Sequence, residues 1–359
     1  MTAKKIRGKV ILLFLAGIAF LLLASFLYFT YSPVDDRYVT STVEIPRGTG
    51  FVEIVDILEK TGLVRNKPFF YALAVLKRSN RQIRAGEYEL ASSMSPNEII
   101  GRLVRGMIKG YKVTIPEDWS LQEISDLLSS PEFKLVDREA FLATARDPDF
   151  LKTLNIRGPS AEGYLFPNTY IFARTTGSRE IIKAMVHQFW KVFTPAMRNR
   201  AAQMGLTVHE TVTLASLIGK ETGLKSEKDL ISAVFHNRLR KQMKLQCDPT
   251  AVYDLERFNG AVKRRHLRRN SPYNTYVIDG LPPGPIANPG ADSLQAALHP
   301  AASDFLYFVS RQNGSHEFSK SYLAHNEAII KYRRISEALK AAESAAEPVN
   351  QPQPEPEVP

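Results

Sequence analysis

The strongest pattern along the chain is an apolar run over residues 10–31 that carries no charge. At the helical rise its 22 residues span about 33 Å, one hydrocarbon core. Lys4, Lys5, Arg7 and Lys9 precede it without an acid, and Asp35 and Asp36 follow. That asymmetry predicts the amino terminus inside and the bulk of the chain outside. The alternative is a cleaved signal peptide, whose apolar core is normally about 7–15 residues long and ends in small residues. This run is longer and ends in Phe29-Thr30-Tyr31, an interfacial aromatic pattern. The expectation is a cytoplasmic segment at 1–9, a retained anchor at 10–31 and a linker at 32–42.

Two later stretches share one pattern, alternation followed by a proline turn and then apolar residues three and four apart. Val43-Glu44-Ile45-Pro46 precedes Phe51, Ile54, Ile57 and Leu58, and Val113-Thr114-Ile115-Pro116 precedes Leu121, Ile124, Leu127 and Leu128. Each predicts a strand feeding an amphipathic helix. Ser120 with Glu123 fits a capping box, and Ser95-Pro96-Asn97-Glu98 fits a helix start with Ser as cap and Pro in the first turn. A short strand is predicted at 85–90, and a further strand and helix at 163–172 and 178–190. Residues 43–110 thus read as a small α+β module, with another beginning at 113. Chance recurrence of common strand–helix punctuation is the competing account. The carboxyl end, rich in Pro and Glu without apolar periodicity, predicts a disordered tail at 343–359.

Residues 209–222 predict a helix in which Leu214, Leu217 and Ile218 share a face. Glu221 lies seven, four and three residues after them and projects from that face, with Glu210 three turns earlier on about the same stripe. A carboxyl on an apolar face is costly unless paired or protonated. Desolvation raises its pKa, as a general acid near neutral pH requires. The competing account is a helix-end ion pair from Glu221 to Lys225. A second helix is expected from Ser226, with Asp229 as capping partner, which sets Glu221 at a helical corner. The polar loop at 245–250 and the Pro- and Gly-rich stretch at 271–290 predict shaped, rigid loops. Their Tyr, Asn, Gln and Asp residues suit sugar binding or simply wall the fold.

Charge adds a partner question. The chain of 359 residues has 47 Lys or Arg, 37 Asp or Glu and one cysteine, for a net +10. Four basic residues precede the anchor, leaving a surplus of six outside, so nucleic acid is not an expected partner. The run at 263–269, KRRHLRR, reads as a solvated loop, with wall polymer or anionic lipid as functional readings. Cys247 excludes an intramolecular disulfide and a multi-thiolate zinc site. In an oxidising compartment it stands as an unpaired, oxidation-prone thiol beside the expected cleft. No HExxH, GxSxG or P-loop occurs, so no metal or cofactor is expected.

The block LASLIGKETGLKSEKDLISAVFHNRLRKQMKLQCDPTAVYDL resembles the core of the endolytic murein transglycosylases, the MltG or YceG-like family. SPYNTYVIDGLPPGPIANPGADSLQAALHP, EGYLFPNTY and HEFSKSYLAHN resemble further blocks of it, in the same order. The resemblance implies an α+β protein with one transmembrane helix, a LysM-like module at 43–112 and a mixed α+β catalytic domain at 113–342. It implies a single-pass inner-membrane location, with the bulk of the chain periplasmic. The implied reaction cuts MurNAc–GlcNAc bonds within glycan strands, leaves 1,6-anhydro-MurNAc ends and limits strand elongation. The family's catalytic Glu matches Glu221, whereas its usual E-K-E-T reads Gly219-Lys220-Glu221-Thr222 here. Cys247 stands where the family usually has a small hydroxylated residue.

Glu221 is the expected catalytic residue, with Glu162, Gln246, Asp248, Tyr273 and Asn274 as candidates for holding the glycan. Expected partners are peptidoglycan strands, the inner membrane and, as candidates, peptidoglycan synthases. Two rival readings remain. One is a lysozyme-like hydrolase using Asp248 or Glu162 as second carboxylate. The other is a non-catalytic wall-binding scaffold.

Overall fold

The computed structural model describes residues 2–35, 37–256, 258 and 260–346. It is a mixed α+β structure that divides into two compact units. The first comprises Met1–Val113 with two returning segments, Leu128–Asp137 and Tyr170–Gly177. The second comprises Thr114–Leu127, Arg138–Thr169 and Ser178–Pro359.

The first unit opens with α1 (Thr2–Tyr31), whose stretch Arg7–Tyr31 is long and apolar enough to cross a membrane. Strand β1 (Thr40–Ile45), helices α2 (Phe51–Lys60) and α3 (Lys67–Leu76), and strand β2 (Gly86–Ala91) follow in a β-α-α-β order. The segment expected as a linker is fastened down. Asp35 N–H donates to the Ser92 carbonyl (3.1 Å), and Ser92 N–H to the Val39 carbonyl (2.9 Å). β1 and β2 pair antiparallel with Val43 opposite Tyr88, so period-two alternation turns Val43 and Ile45 inward. Asn66 caps α3 through Phe69 N–H. Helix α4 (Pro96–Arg105) starts in the expected capping box of Ser95 and Glu98 and stops at Gly106, whose φ of +67° favours glycine. Ile54, Leu58, Phe70, Leu73, Leu90 and Ile99 close one core under this sheet.

Phe26 and Phe29 of α1 both meet the Phe69 ring edge-on at 5.6 Å, and Thr30 is buried. The carboxyl-terminal end of α1 is therefore packed onto the module.

Strand β3 (Tyr111–Thr114) pairs with β4 (Thr169–Phe172), and between them run α5 (Leu121–Ser129), α6 (Arg138–Thr144) and α7 (Pro148–Thr153). The Ser120–Glu123 capping box forms as expected. The second unit continues with α8 (Ser178–Val192), α9 (Pro195–Gln203), α10 (Val208–Glu221) and α11 (Lys225–Arg240). A 3-10 turn (Asp248–Ala251), α12 (Arg264–Leu267) and α13 (Ala291–Leu298) follow. Hairpin β5 (Tyr307–Ser310) and β6 (His316–Ser319) leads into α14 (Tyr322–Ala346). Helix α11 starts at Lys225 behind Leu224, which makes no side-chain cap, so the expected Ser226–Asp229 cap does not form. Helix α14 continues to Ala346, and the rest of the expected tail, 347–359, lies outside the described residues.

Tyr88 is wholly buried, and its hydroxyl donates to the Arg84 carbonyl at 2.6 Å. Tyr88→Phe should cost about 1–2 kcal/mol, read as a lower denaturant midpoint at unchanged slope.

Candidate active site

Helix α10 is the spine of the second unit. Thr207 and Glu210 cap it reciprocally, with Thr207 N–H on Glu210 Oε2 at 2.8 Å and Glu210 N–H on Thr207 Oγ1 at 3.1 Å. These hydrogen bonds lower the Glu210 pKa, and its role is the cap. From Thr211 to Gly219 every residue is buried. The helix ends at Glu221 because Thr222 turns extended (φ −148°, ψ 136°).

Glu221 is half-buried as a residue, and desolvation of its carboxyl pushes the pKa up to about 7. The Cys247 thiol opposes this by donating a hydrogen bond, the Asp248 carboxylate adds to it, and the Arg238 guanidinium again opposes it. The carbonyl end of the helix dipole further disfavours the anion. Lys225 does not neutralise the site, because it pairs with Asp292 at 2.9 Å. Glu221 is thus a carboxyl held near the midpoint of proton exchange at neutral pH.

Among the expected glycan-holding residues, Asp248 lies close enough to act on the Glu221 charge, and Gln246 meets Arg238, which does so too. Both are exposed, and Asp248 accepts from the Tyr276 hydroxyl. Gln246 adopts φ +50°, and its Oε1 accepts from Arg238 at 3.4 Å. Tyr273 is half-buried, 4.7 Å from the Tyr253 ring. Asn274 is wholly buried and spent on structure. Its amide donates to the carbonyls of His266, Leu267 and Arg269, fastening the basic loop. Lys263, Arg264, Arg265 and Arg268 of that loop are exposed, in accord with a solvated run.

Glu162 also turns inward. It is 1% exposed, and its oxygens accept from Leu121 N–H (2.9 Å), the Tyr253 hydroxyl (2.9 Å) and the Asn288 amide (2.7 Å). Asn288 Oδ1 in turn accepts the Gly163 and Leu165 N–H groups, both at 2.9 Å. With both oxygens engaged inside the fold, this carboxyl joins three loops. Burial pushes its pKa up to about 7.

The glycine at 219 has a steric cause. A Cβ there would lie 1.8 Å from Asp118 Oδ1, and one at Gly290 would lie 2.0 Å from the Glu117 carboxyl carbon. The turn at 117–118 inserts two acidic side chains into spaces that two glycines leave, beside the buried Lys228. Asp118 holds a left-handed φ of +62°, and its Oδ1 is buried without a hydrogen-bond partner. Desolvation pushes its pKa up to about 6.

Cys247 and Arg238 play parts that the sequence reading did not assign. Cys247 is completely buried, and burial raises its thiol pKa well above the ordinary value, so the expected oxidation-prone thiol is instead a protonated donor. Arg238 is buried and donates to the carbonyls of Leu306 (2.7 Å) and Leu245 (2.8 Å). It follows Ile231, Val234 and Phe235 by seven, four and three residues, the same spacing that singles out Glu221. The Pro-rich stretch packs along α10 as a wall. Ile286 N–H donates to Ser216 Oγ at 3.1 Å, and the Pro283 carbonyl meets His209 Nε2 at 2.8 Å.

Fold and site define a class, an α+β protein with a desolvated glutamate at the end of a buried helix. The profile of the YceG-like family matches residues 43–331, and the chain belongs to that family. An endolytic murein transglycosylase of Bacillus subtilis is 35% identical over 318 residues, covering 84% of this chain and 87% of that protein. One of Streptococcus pneumoniae is 32% identical over 310 residues, 77% of this chain and only 56% of that longer protein. The crystal structure of a yceG-like protein from Listeria monocytogenes superposes with a TM-score of 0.55 at 33% identity, covering 81% of this chain and 100% of that one.

Gly219→Ala should destabilise the protein by about 1–3 kcal/mol through overpacking, despite alanine's better helix propensity. Asp118→Gly, allowed by the left-handed φ, should recover most of that loss, read as a coupling energy in a double-mutant cycle. Glu162→Gln should cost about 1–3 kcal/mol, because its amide would face the donors of Asn288 and Leu121. Equal stability of Glu162→Gln and wild type in chemical denaturation would contradict the clasp.

Proposed function

We propose that this chain is a membrane-anchored endolytic lytic transglycosylase of peptidoglycan, with Glu221 as its only acid–base residue. The carrying observation is the desolvated Glu221 carboxyl at the end of α10, with a pKa of about 7. The names of the relatives supply the substrate class.

The reaction needs one carboxyl because no water is added. Protonated Glu221 donates its proton to the glycosidic oxygen as the bond from MurNAc C1 to that oxygen breaks. The GlcNAc side leaves as an alcohol. The Glu221 carboxylate then takes the proton of the C6 hydroxyl of the same MurNAc, and O6 bonds to C1. One fragment ends in a 1,6-anhydro ring, Glu221 is protonated again, and the two fragments together keep the mass of the uncut strand. Attack from within the same sugar benefits from high effective molarity. The Cys247 thiol and Arg238 stabilise the transient carboxylate. Asp248, Gln246 and Tyr273 are the residues we assign to glycan contact. Hydrolysis through Asp248 as second carboxylate is the competing reading, favoured by its place beside Glu221.

Helix α1 is proposed as a retained single-pass anchor, with its amino terminus cytoplasmic and the remainder periplasmic. The packing of Phe26 and Phe29 on Phe69 supports retention, since cleavage would strip that aromatic face. The β-α-α-β order of the first unit supports reading 43–112 as a LysM-like module. Peptidoglycan synthases are proposed partners through the shared nascent strand.

Glu221→Gln should abolish anhydro-ended products from purified sacculi while the fold survives. Product mass decides the reaction, since hydrolysis adds a water that the anhydro product lacks. The acid form does the first step, so the rate should fall as pH rises through about 7. The Glu221 pKa is raised in the folded state, so ionisation opposes folding. That destabilisation grows from the ordinary carboxyl range up through about 7 and should be missing from Glu221→Gln.

A further inference from the structure

Helix α3 has an apolar side that faces outward. Phe69, Ala72 and Leu76 are spaced by three and four residues, which places them on one side of the helix. Phe69 is half-buried beneath Phe26 and Phe29 of α1, whereas Ala72, Val75 and Leu76 are exposed, Leu76 at 72%. The exposed strip therefore continues the contact that the outermost turns of the apolar helix make. From Phe69 to Leu76 it runs about 10 Å.

The chain then changes character, with Ser79 buried and Ile83 packed on the core between exposed cations. Lys77, Arg78, Arg81 and Arg84 follow within eight residues, all exposed. No acidic residue occurs from 60 to 86, a stretch with seven basic ones. These seven and the four before the anchor together exceed the whole net charge of +10. Lys67 of this stretch pairs with Asp56 and Glu59, so the exposed positive charge gathers just after α3, at Lys77, Arg78, Arg81 and Arg84. An apolar strip continuous with a membrane-spanning helix, bordered by exposed cations, has the chemistry of an interfacial element on an anionic bilayer.

We propose that the exposed face of α3 and the loop 77–84 form a membrane-contact surface, with Val75 and Leu76 in the interface and the basic residues on anionic phospholipid headgroups. This rests on the reading of α1 as a retained anchor. The occupant is lipid and not glycan because the strip is apolar and begins where α1 ends.

The test uses the full chain reconstituted in phosphatidylcholine bilayers with or without phosphatidylglycerol. A nitroxide is attached at Leu76→Cys, and in a separate variant at Phe20→Cys. Cys247 is wholly buried, which confines labelling to the introduced thiol. The Leu76 label should become shielded from a polar collision reagent when phosphatidylglycerol is present. It should return to water at high salt or on adding Lys77→Glu with Arg81→Glu. A Leu76 label in water in every bilayer, with the Phe20 label at hydrocarbon depth, overturns the surface and leaves the anchor standing. A Phe20 label in water overturns the anchor and the surface together. An aqueous Leu76 label combined with loss of glycan-strand binding in the Lys77→Glu, Arg81→Glu variant overturns lipid in favour of wall polymer.

Discussion

The second unit is organised around the cost of keeping carboxyls out of water, Glu221 at the end of α10 above all. Ionised, Glu221 opposes its own surroundings, and protonated it is a hydrogen-bond donor in need of a partner. A helix interior cannot supply that setting, because burial on all sides requires other segments to bring polar atoms to it. Buried Arg238, the Cys247 thiol and the loop at 245–248 fill this role, and Arg238 is itself held by backbone carbonyls. The result is a group balanced between desolvation, which favours the acid, and a thiol and a guanidinium, which favour the anion. That balance suits the acid–base role proposed for Glu221, since a strong bias either way would slow one of the two proton transfers.

The same segments explain how α10 can be buried along most of its length. Ser216 and His209 engage the Pro-rich wall, and Glu162 with Asn288 fixes the loops around it. Polar residues that look like sugar binders are consumed by this work. Asn274 and Glu162 each hold several backbone or side-chain donors or acceptors, which makes them part of the frame that fixes the site.

What was legible in the sequence was local. The apolar run of α1, the capping boxes at Ser95 and Ser120, and the stripe that places Glu221 all depend on spacings of three to seven residues. The α+β class followed from the alternation of such patterns. The inward turn of Glu162 was not legible, because its partners lie 41 to 126 residues away. Nor was the meaning of Gly219, whose neighbour is set by a turn a hundred residues earlier. Arg238 was within reach of the same spacing rule but reads as a surface charge unless burial of its helix is known. The tyrosines and amides of a loop carry no mark in the sequence that separates a binder from a strut.

The aromatic packing at the end of α1 has a consequence for how the first unit would explore its surroundings. The connector from residue 32 to 39, if free, would span about 15 Å as a flexible coil and let the module tumble. With Phe69 clamped by two rings of α1 and the connector stitched to Ser92, the module is no longer a float on a string. With α1 as the proposed anchor, the height and tilt of the module would be inherited from the helix. Its search for a partner then becomes two-dimensional and oriented, which raises encounter frequency for anything held at the same height and excludes what lies above it.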